Sequence, residues 1–456
     1  MRSGSSRLLP LITGQAASVV LGLSVFASAA EQQSVSSALT FDIRKIAFSS
    51  PGSYFAVSHV TSPLAPLLEN ATEGEGLYLR NLHDGAQDRM LRLDVLKDRQ
   101  PVAFETVATP GVLRLMAKDG ALEICFATPD RLRIRGRGLG LRISKARPGT
   151  YDYALPQASG RWELNLLDQR MRYGLVPIIG ALEVEAPFKN VGAEKIVADF
   201  LPDAEGTLEA AIEPYETHWK RHDPARPDFD ACVEAAQAQF ALFLGKLPTV
   251  APTYEETRRL AAYVLWSSVV APGGALKRPA LLMSKNWMSR VWSWDQTFNA
   301  LALVEGDPAL AWDQFMLPFD QQHAGGALPD SLDGGLIWNF TKPPVHGLLL
   351  RLMMQRSPAI AVERLQEIYG PLSAWTEWWL AERDDDADGI PQYNHGNDSG
   401  WDNATTYRAG LPLEAPDLAA FLVVQMDVLA DLAQKLGKPR EGERWRARAD
   451  DLLAKL

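Results

Sequence analysis

Residues 397–403, Asn-Asp-Ser-Gly-Trp-Asp-Asn, put two carboxylates (Asp398, Asp402), one indole (Trp401) and two amides (Asn397, Asn403) within seven positions. The stretch is too polar and too dependent on glycine to be core. A carboxyl wedged beside an indole holds its proton more tightly, because the apolar face disfavours the charged form. Such a neutral carboxyl can hand a proton to a glycosidic oxygen. Asp402 is read as that acid.

Ten of the thirteen tryptophans fall between Trp266 and Trp401. Trp375, Trp378 and Trp379 lie on an amphipathic helical pattern, where packing is the default. Trp292 and Trp294 instead precede Asp295 in Val-Trp-Ser-Trp-Asp. An indole face beside a carboxylate suits a pyranose, whose C–H face stacks while its hydroxyls bond to the acid. The bland reading of Asp295 is an acid at a helix start. A further loop runs Gly-Gly-Ala-Leu-Pro-Asp to Asp330, then Asp333, Trp338 and Lys342-Pro343-Pro344. Its glycines permit tight backbone paths against a ligand. Asp384, Asp386 and Asp388 alternate ahead of Gly389 like the first half of a calcium loop, but His395 stands where the bidentate glutamate belongs. No cofactor is required by this pattern, and a structural calcium ion is the one metal it suggests. Neither His-Glu-x-x-His, Gly-x-Ser-x-Gly nor a dinucleotide fingerprint occurs, which removes metalloprotease, serine hydrolase and Rossmann readings.

The elements that must hold these loops change character along the chain. Residues 31–215 read as short β runs between Gly, Pro, Asp and Asn. The alternation Arg131-Leu132-Arg133-Ile134-Arg135 predicts an antiparallel sandwich with one wetted face. A linker helix region is expected over 216–254. From 255 to 456 apolar residues recur at three- and four-residue intervals, predicting helices in series, with the aromatic and acidic loops between them. An α/α toroid and a plain bundle share that periodicity. At 456 residues, 46% hydrophobic and 22% charged, the composition is that of a soluble globular protein. A net charge of -10 argues against nucleic acid or an anionic membrane as partner. Arg2 and Arg7, an apolar run over 8–26 and Ala27-Ser28-Ala29 read as a secretory leader over 1–30, so the mature protein is expected to be secreted or periplasmic, off the membrane after cleavage. Cys125 and Cys232 are the only cysteines, read as buried free thiols with pairing left open.

The motifs Trp292-Ser293-Trp294-Asp295, Gly326-x-Leu328-Pro329-Asp330, Lys342-Pro343-Pro344 and Asp398-Ser399-Gly400-Trp401-Asp402-Asn403 stand in an order that resembles glycoside hydrolase family 63. The pattern is similar to its bacterial α-glucosidases and mannosylglycerate hydrolase-like members, and the resemblance covers roughly residues 255–456. It implies an N-terminal sandwich followed by an (α/α)6 toroid, here incomplete, and a small glycoside or oligosaccharide as substrate. It also implies Asp402 as general acid and sugar contacts from Trp294 and Asp295. Trp292, Asp330, Asp398, Trp401 and Asn403 are expected to help hold the sugar. Many relatives carry Glu where this chain has Asp398. The family inverts configuration with a glutamate on a late helix or loop. Inversion needs that carboxylate ~6.5–9.5 Å from the acid, across the sugar. The chain supplies seven or eight of the twelve helices expected, and Glu414, twelve residues beyond Asp402, is the nearest later glutamate. The resemblance therefore implies a fragment lacking its base, nearly inactive alone. A non-catalytic sugar-binding protein is the rival expectation.

Overall fold

The computed structural model describes residues 39–61, 74–85, 90–145, 148–220, 223 and 227–456. The leader expected over 1–30 lies outside them. Residues 40–456 form one compact unit.

Two antiparallel sheets share one core. The first orders its strands Phe55–Val60, Gly76–Asn81, Met90–Lys97, Gly140–Lys145, Ile196–Leu201, Ala181–Glu185. The second runs Tyr153–Pro156, Trp162–Leu166, Met171–Ile179, Thr207–Tyr215, Arg131–Arg137, Gly120–Thr128, Leu113–Ala117, Glu105–Ala108. Alternation explains the packing. Leu91, Leu93 and Val95 of the first sheet and Leu122, Ile124, Leu132 and Ile134 of the second all point into a single apolar cluster.

The wetted face predicted around Arg131 is not wet. Arg131 and Arg133 are fully buried. The reason is the helix α1 (Phe229–Lys246), which lies over this face. Arg131 pairs with Glu213 at 2.9 Å, Arg133 pairs with Glu209 and donates to Pro227 O, and Arg135 lies 4.4 Å over the Phe229 ring. Buried guanidiniums survive only with such partners. Cys125 and Cys232 are free and buried in one small cluster between sheet and α1, with the hydrogen bond to Cys232, then burial, pushing the Cys125 thiol up.

The helical region follows as α2 (Glu255–Ser268), α3 (Asp295–Leu303), α4 (Pro308–Met316), α5 (His346–Arg356), α6 (Val362–Glu382), α7 (Pro416–Lys435) and α8 (Pro439–Lys455). Proline opens α4, α7 and α8, where its missing N–H costs nothing. Trp375 and Trp379 of α6 are fully buried, confirming them as core. Gln425 of α7 joins three helices: its Oε1 accepts from Gly347 N of α5 and its Nε2 donates to Thr376 Oγ1 of α6. Lys285, 3% exposed, closes the seam with the sandwich. Its ammonium donates to Ser49 Oγ, Ser50 O and Val269 O, each at 3.1 Å, while burial pushes its pKa down. Among the described residues no helix is long and apolar enough to cross a membrane.

Candidate active site

The four motifs that the sequence singled out meet through backbone and side-chain contacts. A three-stranded ribbon sets the first two in register: Val291–Trp292 pairs with Ser331–Leu332, which pairs with Leu336–Ile337. Trp292 lies opposite Ser331, so Asp330 falls beside Ser293, whose N–H donates to Asp330 O at 3.1 Å. The next two residues, Trp294 and Asp295, begin α3.

Asp295 occupies the first turn of α3, where a negative charge is favoured by the helix dipole. Burial outweighs that. Desolvation pushes its carboxyl up to about 6, against the opposing pull of its own backbone N–H, Lys342 and Trp294, and Asp330 adds to the rise. Asp295 therefore titrates near neutrality in a half-buried position, as a group able to exchange a proton with a ligand does.

Lys342 is 4% exposed and reaches three acceptors: Asp330 Oδ1 at 2.9 Å, Asn397 O at 2.6 Å and Asn397 Oδ1 at 2.8 Å. Pro343 and Pro344 then lead directly into α5. Asp398, 2% exposed, accepts from Thr341 N at 3.0 Å and Asn394 N at 3.2 Å. Its carboxylate thus braces two loops. Gly400 turns at φ 72°, and a Cβ there would lie 2.4 Å from the Trp294 ring. The glycine is needed both for its left-handed backbone and for the close seat of that indole.

Beyond this turn the loop opens. Trp401 is 66% exposed, and Asp402 and Asn403 are exposed with it. The wedge expected between Trp401 and Asp402 is open to water. Phe298 and Trp338 are also largely exposed, and Phe298 meets Trp294 edge-on at 6.0 Å. Trp292 is half-buried. The structure thus brings Trp294, Asp295, Asp330, Lys342 and Asp398 into one network, with Trp401, Asp402 and Asn403 on the exposed continuation of the same loop.

Sequence reasoning missed His346. It is fully buried, its Nε2 lies 3.1 Å from Ser293 O, and burial pushes its pKa down to about 3. A neutral ring donating from Nε2 therefore holds the peptide between Trp292 and Trp294. The available signal was a lone histidine directly after Pro343-Pro344-Val345, ahead of an apolar helix.

The carboxylates of Asp384, Asp386 and Asp388 gather within 4.8 Å of one another. His395, at the twelfth position, turns elsewhere: its Nδ1 accepts from Asn397 N and its ring packs on Phe340. Glu414 faces the acidic group, and desolvation, then Asp388, Asp386 and Asp384, push its carboxyl up. That position belongs to the acidic loop and gives no support to Glu414 as the catalytic base.

A sandwich followed by helices with functional loops between them is the architecture of the (α/α)6 glycosidases. A bacterial glucoamylase solved with acarbose shares that fold at a TM-score of 0.57 and 10% identity, over 90% of this chain and 66% of its own. Residues 288–456 match the family described as mannosylglycerate hydrolase MGH1-like glycoside hydrolase domain. A mannosylglycerate hydrolase of Selaginella moellendorffii is 23% identical over 141 residues, 26% of this chain and 29% of that relative. A GH63 mannosylglycerate hydrolase from Thermus thermophilus, solved with glucose, aligns at 21% identity and a TM-score of 0.36, over 43% of this chain and 64% of its own. The chain thus spans under a third of the curated relative's length.

Proposed function

We propose that this chain is an inverting glycoside hydrolase that takes a small α-glucoside or α-glucosyl oligosaccharide. The convergence of the four loops on the Lys342 ammonium and the Trp294 indole carries this reading. Trp294 offers a stacking face and Asp295 a half-buried carboxyl for sugar hydroxyls. Trp401 and Asn403 flank the leaving group. Asp402 gives its proton to the departing oxygen, and its exposed position in the open loop becomes covered when a sugar lies against Trp401. The water-activating carboxylate, a late glutamate on the family pattern, is assigned to no described residue.

The exposure of Asp402 favours one rival, a site that binds sugar without turnover. Leaving-group dependence separates them. A general acid matters for an alcohol leaving group and hardly at all for fluoride. Asp402→Asn is expected to slow hydrolysis of an α-linked glucose disaccharide by about 10²–10⁴-fold while sparing α-glucosyl fluoride. Proton NMR of the first-formed product should show the β anomer. Equal losses on both substrates would remove Asp402 from the acid role. Calorimetric binding with no release of glucose from either substrate, even in a longer form of the chain that supplies the late glutamate, would favour the rival.

A further inference from the structure

Asp330 looks, from sequence, like one more sugar-binding acid in an aromatic loop. Its surroundings say otherwise. It is 5% exposed, and its carboxylate faces the Lys342 ammonium, which is itself 4% exposed. An ammonium has three N–H donors. Two of them are used on Asn397 O and Asn397 Oδ1, and the charge is paired with Asp330 Oδ1 2.9 Å away. Asn397 opens the loop that carries Asp398, Gly400 and Asp402. The backbone of Asp330 does a second job, since its carbonyl takes the Ser293 N–H and its own N–H donates to Ile337 O.

We propose that Asp330 is a positioning residue that never touches substrate: its buried pair with Lys342 fastens the loop of Asn397 and Asp402 to the strand that precedes Asp295. This deepens the reading of the site as a sugar site and rests on it for the meaning of the loop's position. The geometry follows from charge. A buried ammonium needs a counter-ion, and a buried carboxylate needs the ammonium. Each fixes the other, and Lys342 then has two donors left to hold Asn397 from both its main chain and its side chain.

Two consequences separate this role from direct contact. The pair is a unit, so losing both members costs less than the sum of losing each. The pair also sits beside Asp295, which Lys342 pulls down and Asp330 pushes up. Removing the Asp330 charge must lower the Asp295 titration point, and removing the Lys342 charge must raise it.

The test uses the full chain in four forms: unchanged, Asp330→Asn, Lys342→Gln and the double variant. Three quantities are read: urea unfolding midpoint, affinity for methyl α-D-glucoside by calorimetry, and the carboxyl-carbon NMR titration of Asp295. Each single variant is expected to lower the midpoint and to weaken glucoside binding by about tenfold or more, with the double variant no worse than the poorer single. The Asp295 titration should move in opposite directions in the two singles. Additive losses in the double variant, or an Asp295 titration that stays put, would overturn the proposal. Lys342→Arg, which keeps the charge, guards against a variant that fails to fold: it should hold the Asp295 titration near its original place, and a shift as large as that of Lys342→Gln would overturn the proposal as well. If the unchanged chain does not bind the glucoside, the sugar-site reading fails by itself, while unfolding and titration still decide the role of Asp330.

Discussion

The sandwich and the helical region solve the same problem with different means. In the sandwich, Asp199 grips Arg142 through two contacts of 2.7 Å, but the ladder already pairs the same two residues. Backbone hydrogen bonds repeat along the strands, and the side-chain pair adds to an order already present. Between the helices, Asp398 also takes two donors, yet they come from loops 57 and 4 residues away, with no ladder between them. There the polar side chain is itself the connection. Position in the sandwich is shared over many equivalent bonds; position in the site hangs on a few buried groups. Such sites are fragile and also tunable.

Replacing these two aspartates by alanine is the strongest way to break that contrast. Asp398→Ala strands two N–H groups in the interior and should cost about 2–5 kcal/mol in denaturant unfolding. Asp199→Ala leaves its ladder intact and an arginine that can reach water, and should cost about 1 kcal/mol. Equal costs would mean the loops have support beyond the polar network.

Titration sharpens the contrast, because the site holds an imidazole and a carboxyl moved in opposite senses. His346 is held near 3 when folded, below its usual 6.5, so the unfolded chain takes a proton that the folded chain refuses. Its contribution to stability is therefore lost as pH falls from 6.5 toward 3. His346→Leu should remove a few kcal/mol of acid sensitivity in that window, read as melting temperature against pH. Asp295 behaves oppositely. Its folded value of about 6 lies above the usual 3.8, so the folded chain keeps a proton that the unfolded chain has released. Its contribution is most favourable below 3.8 and is lost as pH rises through 6. Asp295→Asn should flatten that loss by about 1–3 kcal/mol. A pH profile unchanged by either substitution would show that neither group is as buried as its surroundings imply.

A smaller effect than that of Asp398→Ala is expected at Gly400. Adding a methyl group there strains a left-handed backbone by about 1–2 kcal/mol and presses on the Trp294 ring. Gly400→Ala should shift tryptophan fluorescence and weaken sugar binding more than it lowers stability. Gly206, also left-handed at φ 78° but in a sandwich turn, should show the stability loss alone.

How far the sequence could be read follows the same division. Alternation such as Leu91, Leu93 and Val95 announced the sandwich, because strand periodicity and burial are one fact. The helices were equally plain from their apolar stripes, and Trp375 and Trp379 were rightly assigned to packing. What periodicity cannot report is what covers a face. The arginines at 131 and 133 looked solvated because nothing local told of α1 lying across them. Around the candidate site, the motifs marked residues whose structural partners stayed hidden. Asp330, Lys342 and Asp398 find one another only through the meeting of loops far apart in sequence. Burial likewise fell on Asp295, while the loop end with Trp401 and Asp402 stayed open.

The central claim is that these loops form one sugar site, and binding tests it most directly. Calorimetry with methyl α-D-glucoside on the unchanged chain and on Trp294→Ala, with Gly206→Ala as the sandwich control, would decide. The account predicts measurable affinity that survives in the control and falls by about tenfold or more when the indole is removed, the loss of one stacking face. Affinity equal in all three, or none in the unchanged chain, would contradict it.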